Sequence, residues 1–127
     1  MSFDLSTKSR ERLKGVHPDL VRVVERAAEL SAIEFVVTEG LRSEARQREL
    51  LKSGASRTMK SRHLTGHAVD LAAMVGDEIR WDWPLYHRLA SAMKGAALSL
   101  GVKIEWGGDW RTFKDGPHFQ LPWKEYP

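Results

Sequence analysis

The run His67-Ala68-Val69-Asp70-Leu71-Ala72-Ala73-Met74-Val75 decides the fold, because it sets one carboxylate inside an otherwise apolar segment. Its β-branched and apolar content reads as a buried strand. Gly76-Asp77 makes a hairpin turn into Glu78-Ile79-Arg80-Trp81. Upstream, residues 54–66 (GASRTMKSRHLTG) are polar and small, a loop longer than most and therefore a place to look for function. Further toward the N-terminus, Ser43 caps a helix that runs to about Ser53 and ends at Gly54. Ile33 to Glu39 is a strand with Ile33, Phe35 and Val37 on one face, broken by Gly40. Before it, Leu20, Val21, Val24, Ala27, Ala28 and Leu30 recur at helical spacing behind His17-Pro18. Ser6 opens a short helix within Leu5 to Leu13. Beyond the hairpin, Asp82 and Pro84 open a helix with an apolar stripe at Leu85, Leu89, Met93, Ala96, Ala97 and Leu100, closed by Gly101. Val102, Ile104 and Trp106 alternate as a strand, and His118 to Leu121 form the last one. This order predicts an α+β fold with a small, largely antiparallel sheet and helices packed on it.

A length of 127 residues allows one domain, residues 1–127, with no separate binding module. Apolar residues at 42% and charged residues at 29% describe a globular chain rather than a disordered one. The absence of cysteine excludes disulfides, a thiolate nucleophile and a cysteine zinc site. The longest unbroken apolar run, Leu71 to Val75, is too short to span a bilayer, and Met1 to Ser6 lack the apolar core of a secretory signal. Synthesis in the cytoplasm and no stable membrane association are the expectations. The formal charge is +3 and its excess is local. Residues 41–62 carry Arg42, Arg46, Arg48, Lys52, Arg57, Lys60 and Arg62 against Glu44 and Glu49. That stretch is either a solvated face or a contact for an anionic polymer, nucleic acid or cell wall.

Asp70 is the first chemical anomaly. A carboxylate within a buried strand must be paired, hydrogen-bonded or bound to a metal. His63 stands seven residues upstream, and Gly66 between them permits a turn that brings the loop back over the strand. His118 is the second anomaly, at the start of a strand and after Asp115-Gly116-Pro117. It has either a single backbone partner or a ligand's role. Two histidines and an aspartate would make a three-ligand site with an open position, the arrangement of a catalytic zinc. Asp115 could then take a proton from water and pass it to a leaving amine. His67 lies four residues from His63, but Thr65 and Gly66 between them and the strand pattern that follows argue against helical presentation of the pair, so His67 is read as supporting the site or lining its wall. His17 and His87 are read as structural. Arg42 is a solvated cation or one that meets a substrate carboxylate or an oxyanion. All five tryptophans lie beyond residue 80; Trp106 and Trp110 bracket Gly107-Gly108-Asp109 and could line a groove for an extended substrate.

Ser61-Arg62-His63-Leu64-Thr65-Gly66-His67-Ala68-Val69-Asp70 resembles the Ser-x-His-x-x-Gly-x-Ala-x-Asp motif of the zinc D-Ala-D-Ala carboxypeptidase superfamily. Asp115-Gly116-Pro117-His118 is similar to its second motif, and Gly40-Leu41-Arg42-Ser43 with Gln47 to its Gly-Tyr-Arg-Ser…Gln segment, with Leu41 in place of the aromatic. Trp106-Gly107-Gly108-Asp109-Trp110 resembles the branch of tailed-phage endolysins that are L-alanyl-D-glutamate peptidases. The resemblance covers roughly residues 20–121. It implies a fold of the hedgehog and D-Ala-D-Ala-peptidase type, and one zinc ion on His63, Asp70 and His118. It implies Asp115 as general base and Arg42 assisting the substrate or oxyanion. Ser61, Gln47, Trp106, Asp109 and Trp110 are assigned to the substrate.

The leading expectation is therefore a phage endolysin, a zinc endopeptidase cutting the L-alanyl-D-glutamate bond of peptidoglycan stems. It would act as a monomer, held in the host cytoplasm until a holin opens the membrane, with no nucleic-acid partner. A D-Ala-D-Ala carboxypeptidase or dipeptidase is the alternative within the enzyme class. A basic nucleic-acid-binding module would explain residues 41–62 but not Asp70, and a non-catalytic metal-binding domain would not explain Asp115.

Overall fold

The computed structural model describes residues 3–56 and 58–127; Arg57 of the basic stretch, and Met1 and Ser2 of the N-terminal reading, lie outside the described residues. Helix α1 (Thr7–Arg12) is capped by Ser6, whose Oγ accepts from the Ser9 amide. Helix α2 (Pro18–Leu30) starts with proline at its first position, and the Nδ1 of His17 accepts from the Asp19 amide. Strand β1 (Glu34–Glu39) follows, then helix α3 (Glu44–Ser53), capped by Ser43 and stopped by Gly54 in the left-handed region. Strand β2 (Ala68–Val75) turns at Gly76-Asp77 into β3 (Glu78–Arg80). Helix α4 (Trp83–Leu100), β4 (Glu105–Trp106) and β5 (His118–Gln120) complete the chain.

Two local expectations need correction. The segment 102–106 pairs as a strand only at Glu105 and Trp106, and the Val102 amide is spent on the Ala97 carbonyl, closing α4. The loop 54–66 is not structureless at its end. Arg62–Thr65 wind into a 3-10 helix with Ser61 as its cap, stopped by Gly66 at φ 75°. A side chain at Gly66 would meet the Gly15 carbonyl at 2.2 Å, so this turn needs both the positive φ and the missing Cβ.

Among the described residues every strand pairing is antiparallel, in line with the expected largely antiparallel sheet. The sheet order is β1-β2-β5-β4, with β3 on the far half of β2. Alternation along β2 divides its residues between two faces. Val69, Leu71 and Ala73 join Phe35, Val37, Phe119 and Trp106 in the core, where α2 and α4 pack over the sheet. Asp70, one residue out of phase, faces the other way, and so do its cross-strand partners. Register sets Glu39 opposite Asp70 on one side and His118 opposite Asp70 on the other. A bulge between Val37 and Glu39 brings Glu39 into that row. Helix α1 seals the free edge of β1: Ser9 Oγ accepts from the Val37 amide, and Arg12 donates to the Val37 carbonyl. Among the described residues, no helix is long and apolar enough to cross a membrane.

Candidate active site

The row across three strands, joined by the turn that carries His63, builds a group of three converging donors. His63 Nε2 lies 3.2 Å from Asp70 Oδ1, and His118 Nδ1 lies 3.4 Å from the same oxygen. All three donor atoms fall within 4.8 Å of one another. The outward ring nitrogens are already engaged. His63 Nδ1 is 2.8 Å from the Gly40 carbonyl, which can only accept, so that nitrogen carries the proton. His118 Nε2 is 2.8 Å from Gln120 Oε1. In their neutral forms both rings thus turn a lone pair toward the Asp70 carboxylate, an arrangement stable only when a proton or a metal ion stands between ring and carboxylate. Tetrahedral bonds of about 2.1 Å to a single ion separate ligand atoms by about 3.4 Å, close to both distances to Asp70. The donor set fits zinc.

Electrostatics point the same way. Burial works against a charge on Asp70, but hydrogen bonds from His118 and His63 outweigh it and hold the carboxyl well below its usual range. Burial alone would lower His118; the bond to Asp70 reverses this and raises it. The site draws positive charge to itself, as a proton or as a metal.

Asp115 lies in the same cavity, a cleft of about 480 Å³. Burial, and secondly the neighbouring Asp70, push its carboxyl upward. The segment 106–110 holds it there. The Asp115 amide donates to the Gly107 carbonyl, Trp106 Nε1 donates to the Gly116 carbonyl at 2.7 Å, and a Cβ at Gly107 would stand 2.4 Å from the Asp115 carbonyl. The tryptophan and paired glycines are the frame of the turn that aims Asp115.

Arg42 also reaches the cleft, with 8% of its side chain exposed, 3.9 Å from Asp70 Oδ2. Its guanidinium is occupied. It donates twice to Glu39 Oε1 and, at 2.6 Å, to Gln47 Oε1, with a longer contact to Ser61 Oγ. Gln47 is wholly buried and spends its amide nitrogen on Ser56 Oγ and the Thr58 carbonyl.

Of the expected substrate residues, Ser61 and Trp110 line the cleft, the Trp110 ring 5.2 Å from that of His118. Three others do not reach it. Gln47 has no exposed surface and positions Arg42 instead. Trp106 is 4% exposed and stacks on Phe119 in the core. Asp109 points outward and pairs with Lys94 at 2.7 Å on the surface. His67 is neither ligand nor wall: three residues from Asp70, it faces the other side of β2, bonds to Thr65 Oγ1 and packs on His17. The reading missed the partners that fix the ligands, Gly40 and Gln120, and the counter-charge on Arg42, Glu39. Gln120 carried a signal, since strand alternation puts it on the same face as His118. The basic stretch offers less free charge than its sequence suggests. Arg46 pairs with Glu49, Arg48 with Glu44, and Arg62 is buried, donating to the Leu121 and Tyr126 carbonyls under the Trp123 ring.

The family profile described as phage L-alanyl-D-glutamate peptidase matches residues 1–121. The L-alanyl-D-glutamate peptidase of Escherichia phage T5 is 34% identical over 119 residues, covering 91% of this chain and 87% of that protein. The crystal structure of the Serratia marcescens L-Ala D-Glu endopeptidase ChiX superposes with a TM-score of 0.93 at 52% identity, over 100% of this chain and 94% of that one. The vancomycin-resistance D,D-dipeptidase VanXYg, in complex with a D-Ala-D-Ala phosphinate analogue, superposes at 0.55 with 22% identity, over 84% of this chain and 50% of that one, a likeness of fold. Agreement along nearly the whole sequence and through the whole fold leaves one conclusion: the chain belongs to the phage L-alanyl-D-glutamate peptidase family.

Proposed function

We propose that this chain is a zinc endopeptidase that hydrolyses the L-alanyl–D-glutamate bond of peptidoglycan stem peptides. The observation that carries the reading is the convergence of His63, Asp70 and His118 in one cleft with Asp115. These three side chains would hold one zinc ion, which when bound supplies a Lewis acid and lowers the pKa of water. Asp115 stands in the cleft, partly desolvated, and serves as the base that takes a proton from the attacking water and returns it to the departing amine nitrogen. Arg42 is held rigid by Glu39 and Gln47, so its positive field is aimed before substrate arrives, and it stabilises negative charge developing on the scissile carbonyl. Gly40 and Gln120 keep the two imidazoles turned with their lone pairs inward. Trp110 and Ser61 flank the stem peptide.

Mass spectrometry of purified peptidoglycan after digestion tests the reading. New N-terminal D-glutamate with intact glycan strands is expected. Free D-alanine as the main product would favour a carboxypeptidase, and new reducing ends would reject a peptidase. The same reading has one catalytic domain acting as a monomer, made in the host cytoplasm and reaching the wall after holin-type opening of the membrane. Light scattering, and lysis assays with and without membrane permeabilisation, test those points.

A further inference from the structure

Among the described residues, the fixed charges lining the cleft are Glu39, Asp70 and Asp115 against Arg42, Lys60 and Arg62. The stem peptide proposed as substrate is anionic. A D-glutamate joined onward through its γ-carboxyl keeps an α-carboxylate beside the scissile amide, and a diamino diacid in the next position brings another. Some cation must meet them, and two of the three are committed elsewhere. Arg42 is bound to Glu39 and Gln47 and lies close to Asp70. Arg62 is 3% exposed, donates to the carbonyls of Leu121 and Tyr126, and is covered by Trp123.

Lys60 differs. It is exposed, it lines the cleft, and among the described residues its ammonium makes no ion pair. The loop that carries it is tied down on both sides. Gln47 holds the Thr58 carbonyl at 2.5 Å, the Lys60 amide donates to Thr58 Oγ1, and Ser61 Oγ accepts from the His63 amide. A flexible side chain on an anchored base can reach a substrate carboxylate without carrying the loop with it.

Resting on the peptidase reading above, we propose that Lys60 determines specificity in the cleft by pairing with a carboxylate of the stem peptide. Arg42 serves the reacting carbonyl and not the substrate's acid groups. The interaction is charge-assisted and lies in an open cleft, so removing it should weaken binding about tenfold, near the low end for hydrogen bonds to charged groups.

The test measures binding of three tripeptides to zinc-loaded protein carrying Asp115→Asn, so that affinity is read without turnover. The peptides are L-Ala-γ-D-Glu-diaminopimelate capped as an amide at its C-terminal α-carboxyl alone (the free-acid peptide), the same peptide with the D-glutamate α-carboxyl also amidated, and the same peptide with the distal diaminopimelate carboxyl also amidated. Adding Lys60→Met should weaken the free-acid peptide about tenfold and leave one amidated peptide unchanged, while Lys60→Arg restores the affinity. The amide that no longer responds to Lys60→Met identifies the carboxylate. Equal weakening of all three peptides, or of none, overturns the proposal. Turnover of the free-acid peptide by the unaltered enzyme is scored separately. If that bond stays intact while Lys60-dependent binding holds, the peptidase reading fails and the Lys60 assignment stands.

Discussion

Two polar clusters lie side by side at the wall of the cleft, one of them backed by the buried Gln47, and they differ in what they leave unspent. In the Glu39–Arg42–Gln47 group the guanidinium meets a carboxylate, the amide oxygen accepts from it, and the amide nitrogen finds Ser56 and Thr58. The group is closed. In the His63–Asp70–His118 group the outer ring nitrogens are spent on Gly40 and Gln120, while the inner ones converge on one carboxylate oxygen. This group is open and calls for a cation. Burial is therefore a poor sign of function by itself; the donors and acceptors left over after every local bond is counted are a better one.

The contrast is broken most severely by removing a ligand of the open cluster. His63→Ala or His118→Ala should release zinc, abolish activity and lower the melting temperature, because metal binding is part of the folding free energy. Chelation of the unaltered protein should abolish activity as well, and added zinc should restore it. Stoichiometric zinc by elemental analysis in either mutant would erase the distinction between the clusters. Next comes Asp115→Asn, which should keep its zinc and lose on the order of 10²–10⁴-fold in rate. A loss below tenfold would move the base to another residue.

The closed cluster should respond differently. Gln47→Leu leaves Arg42 and the Thr58 carbonyl short of a partner in a buried site. It should cost about 1–3 kcal/mol in denaturant unfolding, with zinc retained and activity reduced. Arg42→Ala should likewise keep zinc and lose activity, and a wild-type rate would make the cluster purely structural. The smallest effect belongs to Asp109→Ala, which removes only an exposed pair with Lys94. Unfolding should shift by no more than about 0.5 kcal/mol with an unchanged rate. A large loss of activity there would return Asp109 to the reaction.

The residues most open to sequence reading were those that violated their surroundings. Asp70 interrupts an apolar run, and His118 opens a strand behind an Asp-Gly-Pro turn. Trp106 and Gln47 misled for the opposite reason: each sits in a motif that looks functional, and each works one layer away, framing Asp115 or holding Arg42. A motif records that residues matter together, and it does not say which of them touches the substrate.

What the sequence determined by itself was local and periodic. Caps, breakers and hydrophobic spacing set the helices and most strands, because each depends on neighbours within a few residues. The unmatched carboxylate and histidines were visible for the same reason. Only the tertiary structure decided the row Glu39–Asp70–His118, since a register slip of one residue would turn every side chain to the opposite face. Only the fold decided which cations are spent. Glu39 and Gln47 reach Arg42, and the carbonyls of Leu121 and Tyr126 reach Arg62 from the far end of the chain, while among the described residues Lys60 makes no ion pair. Pairing is a property of distances in space, and no stretch of sequence read alone contains them.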